Sequence, residues 1–348
     1  MPAARKNDGC DVDVRKPATL SEVAKLAGVS IATASRALNG REEVKSETRA
    51  RVFEVAERLA FRPNVLAKNL LAGRTGTVGL LTSDMEGRFS IPIMMGAEDA
   101  FGAGATSVFL CDARGDAIRE QHHIQALLSR RVDGLIIVGS STNPRPSLGQ
   151  NLPVPIVYAY APSEDPADLS VVSDNVQGAR IGIEHLIATG RKRIAHITGE
   201  PEYAAARDRA AGVQAALRDA GMTLVGDRVL YGSWNEAWGR GGARTLLEQN
   251  PDTDAILAGS DQIARGAIEA LAELGKRVPE DVAVMGFDNW GVVAQSSRPE
   301  LTSIDMRLEE LGRLAARRLF AAIDGDHEGG IQSVNCRLVV RGSTAQLV

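Results

Sequence analysis

The sequence predicts a small all-α head followed by an α/β body of two doubly wound parallel-sheet lobes. Three observations carry this. Two short helical patterns flank "AGVS" within "TLSEVAKLAGVSIATASRALNG", residues 19–40. From Thr77 onward, short apolar runs alternate with helical patterns in two successive series. Charge is divided unevenly: residues 1–74 hold 14 Lys and Arg against 9 Asp and Glu, a net +5, whereas the remainder holds 26 against 35, a net −9. A cationic head on an anionic body is expected where only the head meets nucleic acid.

Bulk composition narrows the class. A chain of 348 residues, 44% hydrophobic and 24% charged, has room for two or three domains with sizeable cores. Cys10, Cys111 and Cys336 lie far apart without metal-ligand spacing. That suits a reducing cytoplasm and argues against a disulfide framework. The stretch "MPAARKNDGCDVDVRKPA" has no apolar export core, and no apolar run approaches the ~20 residues of a membrane span. The expectation is a cytoplasmic protein without membrane contact, metal or cofactor.

In the head, Thr19 and Glu22 have the spacing of a capping box. The helix they start places Leu20, Val23, Ala24 and Ala27 on one face. Gly28 supplies the turn at little conformational cost, Val29 is an apolar plug, and Ser30 caps the next helix. That helix turns Ala34, Ala37 and Leu38 inward and leaves Ile31, Ala32, Thr33, Ser35 and Arg36 outward or at its start. A third helix, "SETRARVFEVAERLAF", capped by Ser46, buries Val52, Val55, Ala56 and Leu59. Thr, Ser and one Arg on an outer face suit a major groove better than a solvated surface rich in Glu and Lys. In "RPNVLAKNLLAG", Pro63 is a natural helix starter, yet the helix after it is too short to be stable alone.

The body reads as strands "TVGLLTSD", "TSVFLCDA", "DGLIIVGS" and "PIVYAYA", then "RIAHITG", "RVLYGSW", "AILAGSD" and "VAVMGFDN", with helical patterns between most of them. Such runs imply parallel sheets covered on both faces. Ligands of such folds sit beyond the carboxyl ends of the strands, which for two lobes means the cleft between them. Catalytic signatures are absent. There is no P-loop or GxSxG, and "GRGGAR" falls inside a helical pattern. His122 and His123 are adjacent and point apart on a helix, while His185 and His196 sit in apolar surroundings. An enzyme is not expected.

The stretches "TLSEVAKLAGVSIATASRALNG", "VKSETRARV" and "FRPNVLAKNLLAGRTGTVGLL" resemble the head of the LacI/GalR (lactose-repressor) family of bacterial transcription regulators. The resemblance continues through "VVSDNVQGARIGIEHLIATGRKRIAHITGE", "RDRAAGVQAAL" and "AVMGFDNWGVVAQSSRPELTSID". It implies a flexible tail over 1–16, a helix-turn-helix domain over 17–62, a hinge helix and linker over 63–75, and an effector-binding and dimerisation body over 76–348. The body would have the periplasmic-binding-protein-like fold. Its first lobe would span about 76–173 and 305–335, and its second about 174–304 and the C-terminal end. The chain would cross near Asp174, near Leu301–Asp305 and close to "LVVRGS".

The resemblance also implies site residues. Thr33 and Ser35 would meet phosphate or base edges, Arg36 a guanine, and Asn39 the backbone, with Thr19, Leu20, Ser30 and Asn64 completing the surface. Ile31 and Ala32 fall where the family varies its operator choice, and their apolar character suits a thymine methyl. Arg41, Lys45, Arg49 and Lys68 would hold phosphates. The hinge would fold in the minor groove when two copies meet there, with Leu70 as the wedge between base steps. In the cleft, Asp288 would accept ligand hydroxyls, Arg209 would donate to adjacent oxygens, and Trp234 would pack on a ligand ring. Asp84 and Phe89 would lie on the loop after the first strand. Tyr160 and Ser260 would complete the effector-binding set, and both, like the loop "DMEGRFS", depart from the family pattern. The expected function is an operator-binding repressor, a homodimer on a pseudo-palindromic site, controlled by a small molecule, first of all a sugar or sugar derivative. A corepressor of nucleobase type and a carbon-control partner protein are the alternatives.

Overall fold

A computed structural model describes residues 18–38, 44–59, 61, 74–84, 87–102, 106–149, 151–326 and 328–344. The chain forms two compact units, Met1–Gly73 and Arg74–Val348.

The first unit contains α1 (Leu20–Ala27), α2 (Ile31–Leu38) and α3 (Ser46–Arg58). The capping box forms in both directions: Thr19 Oγ1 accepts from the Glu22 amide, and the Thr19 amide donates to Glu22 Oε2 at 2.7 Å. Gly28 ends α1 at φ 66°, a left-handed position open to Gly at little cost. Ala24, Ala27, Ala34 and Ala37 are buried with Val23, Val44, Val52, Val55 and Ala56, so small side chains let the helices approach closely. Arg51 Nε ties α3 to the Ala27 carbonyl at 3.0 Å. One cap differs from the sequence expectation. Ser46 is the first helical residue, and the cap position is Lys45, which makes no side-chain bond.

The second unit builds two six-stranded sheets. The first uses β1 (Thr77–Thr82), β2 (Ser107–Asp112), β3 (Gly134–Val138), β4 (Ile156–Ala159), β5 (Leu169–Asp174) and β11 (Gly330–Asn335) in the order β11-β5-β4-β3-β1-β2, all parallel. The second uses β6 (Ile194–Thr198), β7 (Leu230–Tyr231), β8 (Ala255–Ala258), β9 (Ala283–Asp288), β10 (Thr302–Asp305) and β12 (Arg337–Val339) in the order β12-β10-β9-β8-β6-β7, with only β12 antiparallel. In each lobe the first strand lies between the second and the third. That reversal of winding opens a crevice beyond the strand ends.

Helices of the first lobe are α4 (Ser90–Phe101), α5 (Ala117–Ser129) and α11 (Leu308–Ile323). Those of the second are α6 (Asn175–Ala188), α7 (Ala204–Asp219), α8 (Glu236–Gln249), α9 (Asp261–Glu273) and the short α10 (Gly291–Ala294). The chain passes between lobes from β5 to α6, from β10 to α11, and from β11 to β12 through Cys336. Buried strands such as β3, "GLIIV", read as unbroken apolar runs because both faces are covered. Between β3 and β4 no helix forms among the described residues. Leu148, Leu152 and Val154 of that loop cover the sheet beside α5 instead. One apolar cluster runs through both lobes, joining Val78 and Ile136 to Phe287, Ile304, Met306 and Cys336.

α4 and α11 cross backbone to backbone. A Cβ on Gly96 would lie 1.8 Å from the Glu309 carbonyl oxygen, and one on Gly312 would lie 2.0 Å from that of Ile93. α8 and α9 repeat the device through Gly239 and Gly266.

Candidate functional site

The carboxyl ends of β1, β3, β4, β6 and β9 face one another across the lobes. β9 ends on Asp288, and α7 carries Arg209 beneath it. Arg209 is 2% exposed, with its guanidinium 3.7 Å from the centre of the Phe287 ring. Its Nε donates to Asn175 Oδ1 at 2.8 Å, one terminal nitrogen donates to the Gly259 carbonyl, and the other points to Met306 Sδ at 3.4 Å. It also lies 3.4 Å from Asp288 Oδ1. So many fixed partners hold the fork in place before any ligand arrives.

Asp288 ion-pairs a second time, with Arg88 of the first lobe. The other Arg88 terminal nitrogen donates to Gln262 Oε1 at 2.9 Å. Behind them, Asp261 Oδ1 accepts from Ser303 Oγ at 2.5 Å, and Oδ2 accepts from the Trp290 amide at 2.6 Å. Burial, and then the neighbouring Asp288 charge, push the Asp261 carboxyl up to about 8. Asp288, Asn289 and Tyr160 have φ of 106°, 52° and 72°, sparsely populated conformations gathered at one site.

These groups border a cavity of about 200 Å³, to which Phe89, Tyr160, Arg209, Trp234 and Asp288 contribute together with Arg88, Thr142 and Tyr203. Phe89 and Tyr160 stack with ring centres 4.7 Å apart, and burial raises the Tyr160 phenol far above its ordinary range. The Trp234 ring lies against the Gly199 backbone, where any side chain would collide with it. Its Nε1 and the Thr142 Oγ1 are buried with no partner among the described residues. A larger hollow of about 500 Å³ shares Arg88, Phe89 and Asp288. On its wall Arg313 pairs with Glu310 and Arg337 with Asp305, and Arg209, Tyr160 and Trp234 do not line it.

Two residues of the expected effector set stand behind the wall instead of lining the cavity. Asp84 Oδ2 accepts from the Phe89 and Ser90 amides at 3.0 and 3.2 Å, capping α4. Ser260 Oγ accepts from the Ile263 amide and caps α9. Both positions lie on a loop that leads from a strand to a helix, so the open backbone donors at the helix start claim the side chain. Sequence reasoning missed Arg88, Thr142 and Asp261. The departure of "DMEGRFS" from the family pattern was the available signal for Arg88.

On the head, Ile31, Ala32 and Arg36 are exposed on α2, and Thr33 and Ser35 are half-buried. Ser30 Oγ accepts from the Thr33 amide at 3.1 Å, starting α2 in an orientation that leaves Ile31 53% exposed. Thr19 and Lys45 are exposed and Leu20 is half-buried. Asn39, Arg41, Asn64, Lys68 and Leu70 lie outside the described residues, and with them the hinge. Among the described residues no helix is long and apolar enough to cross a membrane, and no cluster of three or more His, Cys, Asp or Glu could hold a metal. His185 Nε2 meets Thr344 Oγ1 at 2.8 Å, and His196 Nδ1 bonds the Leu257 carbonyl at 2.8 Å.

Residues 19–64 match the family described as bacterial regulatory proteins, lacI family, and residues 183–344 match the periplasmic binding protein-like domain. The chain is 31% identical to the HTH-type transcriptional repressor PurR of Aliivibrio fischeri, over 94% of its own length and 98% of that protein. It is 34% identical to the HTH-type transcriptional regulator CelR of Thermobifida fusca, over 94% and 99%. Among solved structures, a CelR–cellobiose complex aligns at 33% identity with a TM-score of 0.63, covering 94% of this chain and 99% of that one. A lac repressor dimer bound to operator and the anti-inducer ONPF aligns at 28% with a TM-score of 0.66, with the same coverage.

Proposed function

The chain belongs to the lacI family of bacterial regulatory proteins, DNA-binding regulators of transcription, and on that premise we propose that its hold on operator DNA is set by a small polyhydroxylated ligand in the interlobe cavity. The ligand is a sugar or sugar derivative. The observation that carries this is the pairing of a pre-fixed Arg209 with Asp288 on the wall of a cavity that Phe89, Tyr160 and Trp234 also line. A few fixed charged groups converging with aromatic side chains in a cleft are the features of a small-molecule site.

The DNA reader is α2, with Arg36 toward a base edge, Ile31 and Ala32 toward a thymine methyl, and Thr33, Ser35 and Lys45 toward phosphates. The protein acts as a homodimer, because two heads are needed for a pseudo-palindromic site. The first lobe exposes Ile91 and Met95 on α4, and Phe109 and Leu110 on the edge strand β2, apolar material suited to an interface between copies. It works in the cytoplasm on the nucleoid and catalyses no reaction.

The test has two stages. A thermal-shift panel of sugars and nucleosides finds the ligand, since a compound at ~100 times its Kd adds ~2.7 kcal/mol. Anisotropy titration of a selected palindromic duplex, with and without that ligand, then gives the direction of coupling. Unchanged thermal shifts in both Arg209→Ala and Trp234→Ala would remove the cavity from the account.

A further inference from the structure

We propose that the cavity is built for an anionic sugar, one bearing a carboxylate or a phosphate, whose charged group takes Arg88 over from Asp288. The proposal rests on the reading of this cavity as the effector site and adds the chemical class of the ligand.

Arg88 starts on the first-lobe loop before α4 and ends in the second lobe, on Asp288 and Gln262. Its guanidinium lies between the Phe89 and Trp290 rings, 5.1 and 5.0 Å from their centres. The side chain is only 16% exposed, and its Nε has no partner among the described residues. A hydroxyl ligand that bonds Asp288 therefore competes with a charge pair largely shielded from water. If a neutral sugar displaced Arg88, it would strand a desolvated cation, a loss larger than a few neutral hydrogen bonds return.

Asp288 is the only carboxylate among the described residues that ion-pairs with Arg88. Each oxygen of Asp261 already accepts a bond, from Ser303 and from the Trp290 amide. Asp84 holds the start of α4 through Oδ2. Arg209 stays with Asp288 and gives three of its five N–H donors to Asn175, Gly259 and Met306. A ligand that brings its own anion satisfies Asp288 with hydroxyls and Arg88 with charge at once, and the planar guanidinium fork fits a carboxylate or a phosphate. A cavity of about 200 Å³ suits a single sugar ring.

Calorimetric titration of the full chain with glucose, galactose, glucuronate, galacturonate, gluconate and glucose 6-phosphate tests this, with adenosine and guanine as uncharged comparators. At least one acid should bind tenfold or more tightly than its neutral parent, and the sugar-acid and phosphate arms tell the two anions apart. Arg88→Met should bring acid and parent within about twofold, weakening the acid and freeing Asp288 for the neutral parent, and Arg88→Lys should retain part of the preference. A neutral sugar or a nucleobase binding as tightly as every acid would overturn the proposal while leaving the cavity as the effector site. So would an acid whose affinity is indifferent to Arg88→Met but lost in Trp234→Ala. If no compound in any arm binds, the proposal falls together with the reading beneath it.

Discussion

Asp288 holds two cations at once, and the consequence can be measured without any ligand. Its side chain is 5% exposed between Arg88 and Arg209. Asp288→Asn keeps the shape but leaves two guanidinium groups short of one negative charge. A loss of about 3 kcal/mol in urea unfolding is expected. The double variant Arg88→Met/Asp288→Asn should lose less than the sum of its singles, because removing both partners strands less charge. A strictly additive pair would show that the bridge carries no energy. His196 offers a second residue-level test. It is fully buried, Nδ1–H donates to the Leu257 carbonyl and Nε2 has no partner among the described residues, and burial lowers its pKa to about 4. The folded-state value lies below the ordinary 6.5, so the unfolded chain binds the extra proton between those limits. This contribution is complete above pH 6.5 and is lost as pH falls towards 4, by about 3 kcal/mol. His196→Leu should flatten that part of the stability profile, and an unchanged slope would reject the assignment.

Elements whose logic is local were legible in the sequence. The capping box at Thr19 and Glu22, the left-handed Gly28 and the inward alanines of α2 all follow from spacings of a few residues. Eight parallel strands followed from their apolar runs, whereas β5, "LSVVSD", and β10, "TSID", were not read as strands because polar residues interrupt them. Contacts made across hundreds of positions were not legible. Arg88 meets Asp288 two hundred residues away, and neither local pattern hints at the pairing. β11 and β12 escaped too, because "GIQSVN" and "RLV" are short and mostly exposed edge strands. The reciprocal glycines of α4 and α11 were equally silent, since a helical Gly reads only as a weak helix former. Their role is steric. Gly96→Ala places a methyl against the Glu309 backbone, which cannot rotate away as a side chain would. A cost of about 1–3 kcal/mol is expected, with Gly312→Ala similar. A stability change below 0.5 kcal/mol at both would mean that the helices separate freely. On α2, Arg36→Ala should leave unfolding unchanged, because the side chain is exposed, yet weaken a cognate duplex by about 1–3 kcal/mol. Equal weakening on random DNA would reassign Arg36 from base reading to phosphate holding.

At the scale of the whole molecule, the two lobes are joined by more than the three chain passages. Arg88 spans to Asp288 and Gln262, and Asn143 Oδ1 of the first lobe accepts from the Ala204 amide at the start of α7 at 2.6 Å. One apolar cluster also runs continuously through both lobes. A ligand that replaces the Arg88 bridge therefore trades a protein contact for a ligand contact at the seam, and this is how occupancy would reach lobe geometry. The thermodynamic constraint on any such route is strict. If the ligand changes operator affinity by some factor, the operator must change ligand affinity by the same factor, typically about 5- to 150-fold. Measuring ligand Kd by calorimetry with and without saturating duplex, and duplex Kd by anisotropy with and without saturating ligand, should return equal ratios. Asn143→Ala, which removes a cross-lobe bond without touching charge, should shift both apparent affinities of the otherwise intact protein in opposite directions if the ligand acts as an inducer. It should shift them in the same direction if the ligand acts as a corepressor. An Asn143→Ala protein with altered ligand affinity but unaltered operator affinity would separate the seam from the switch, leaving the Arg88 bridge as the route to test next.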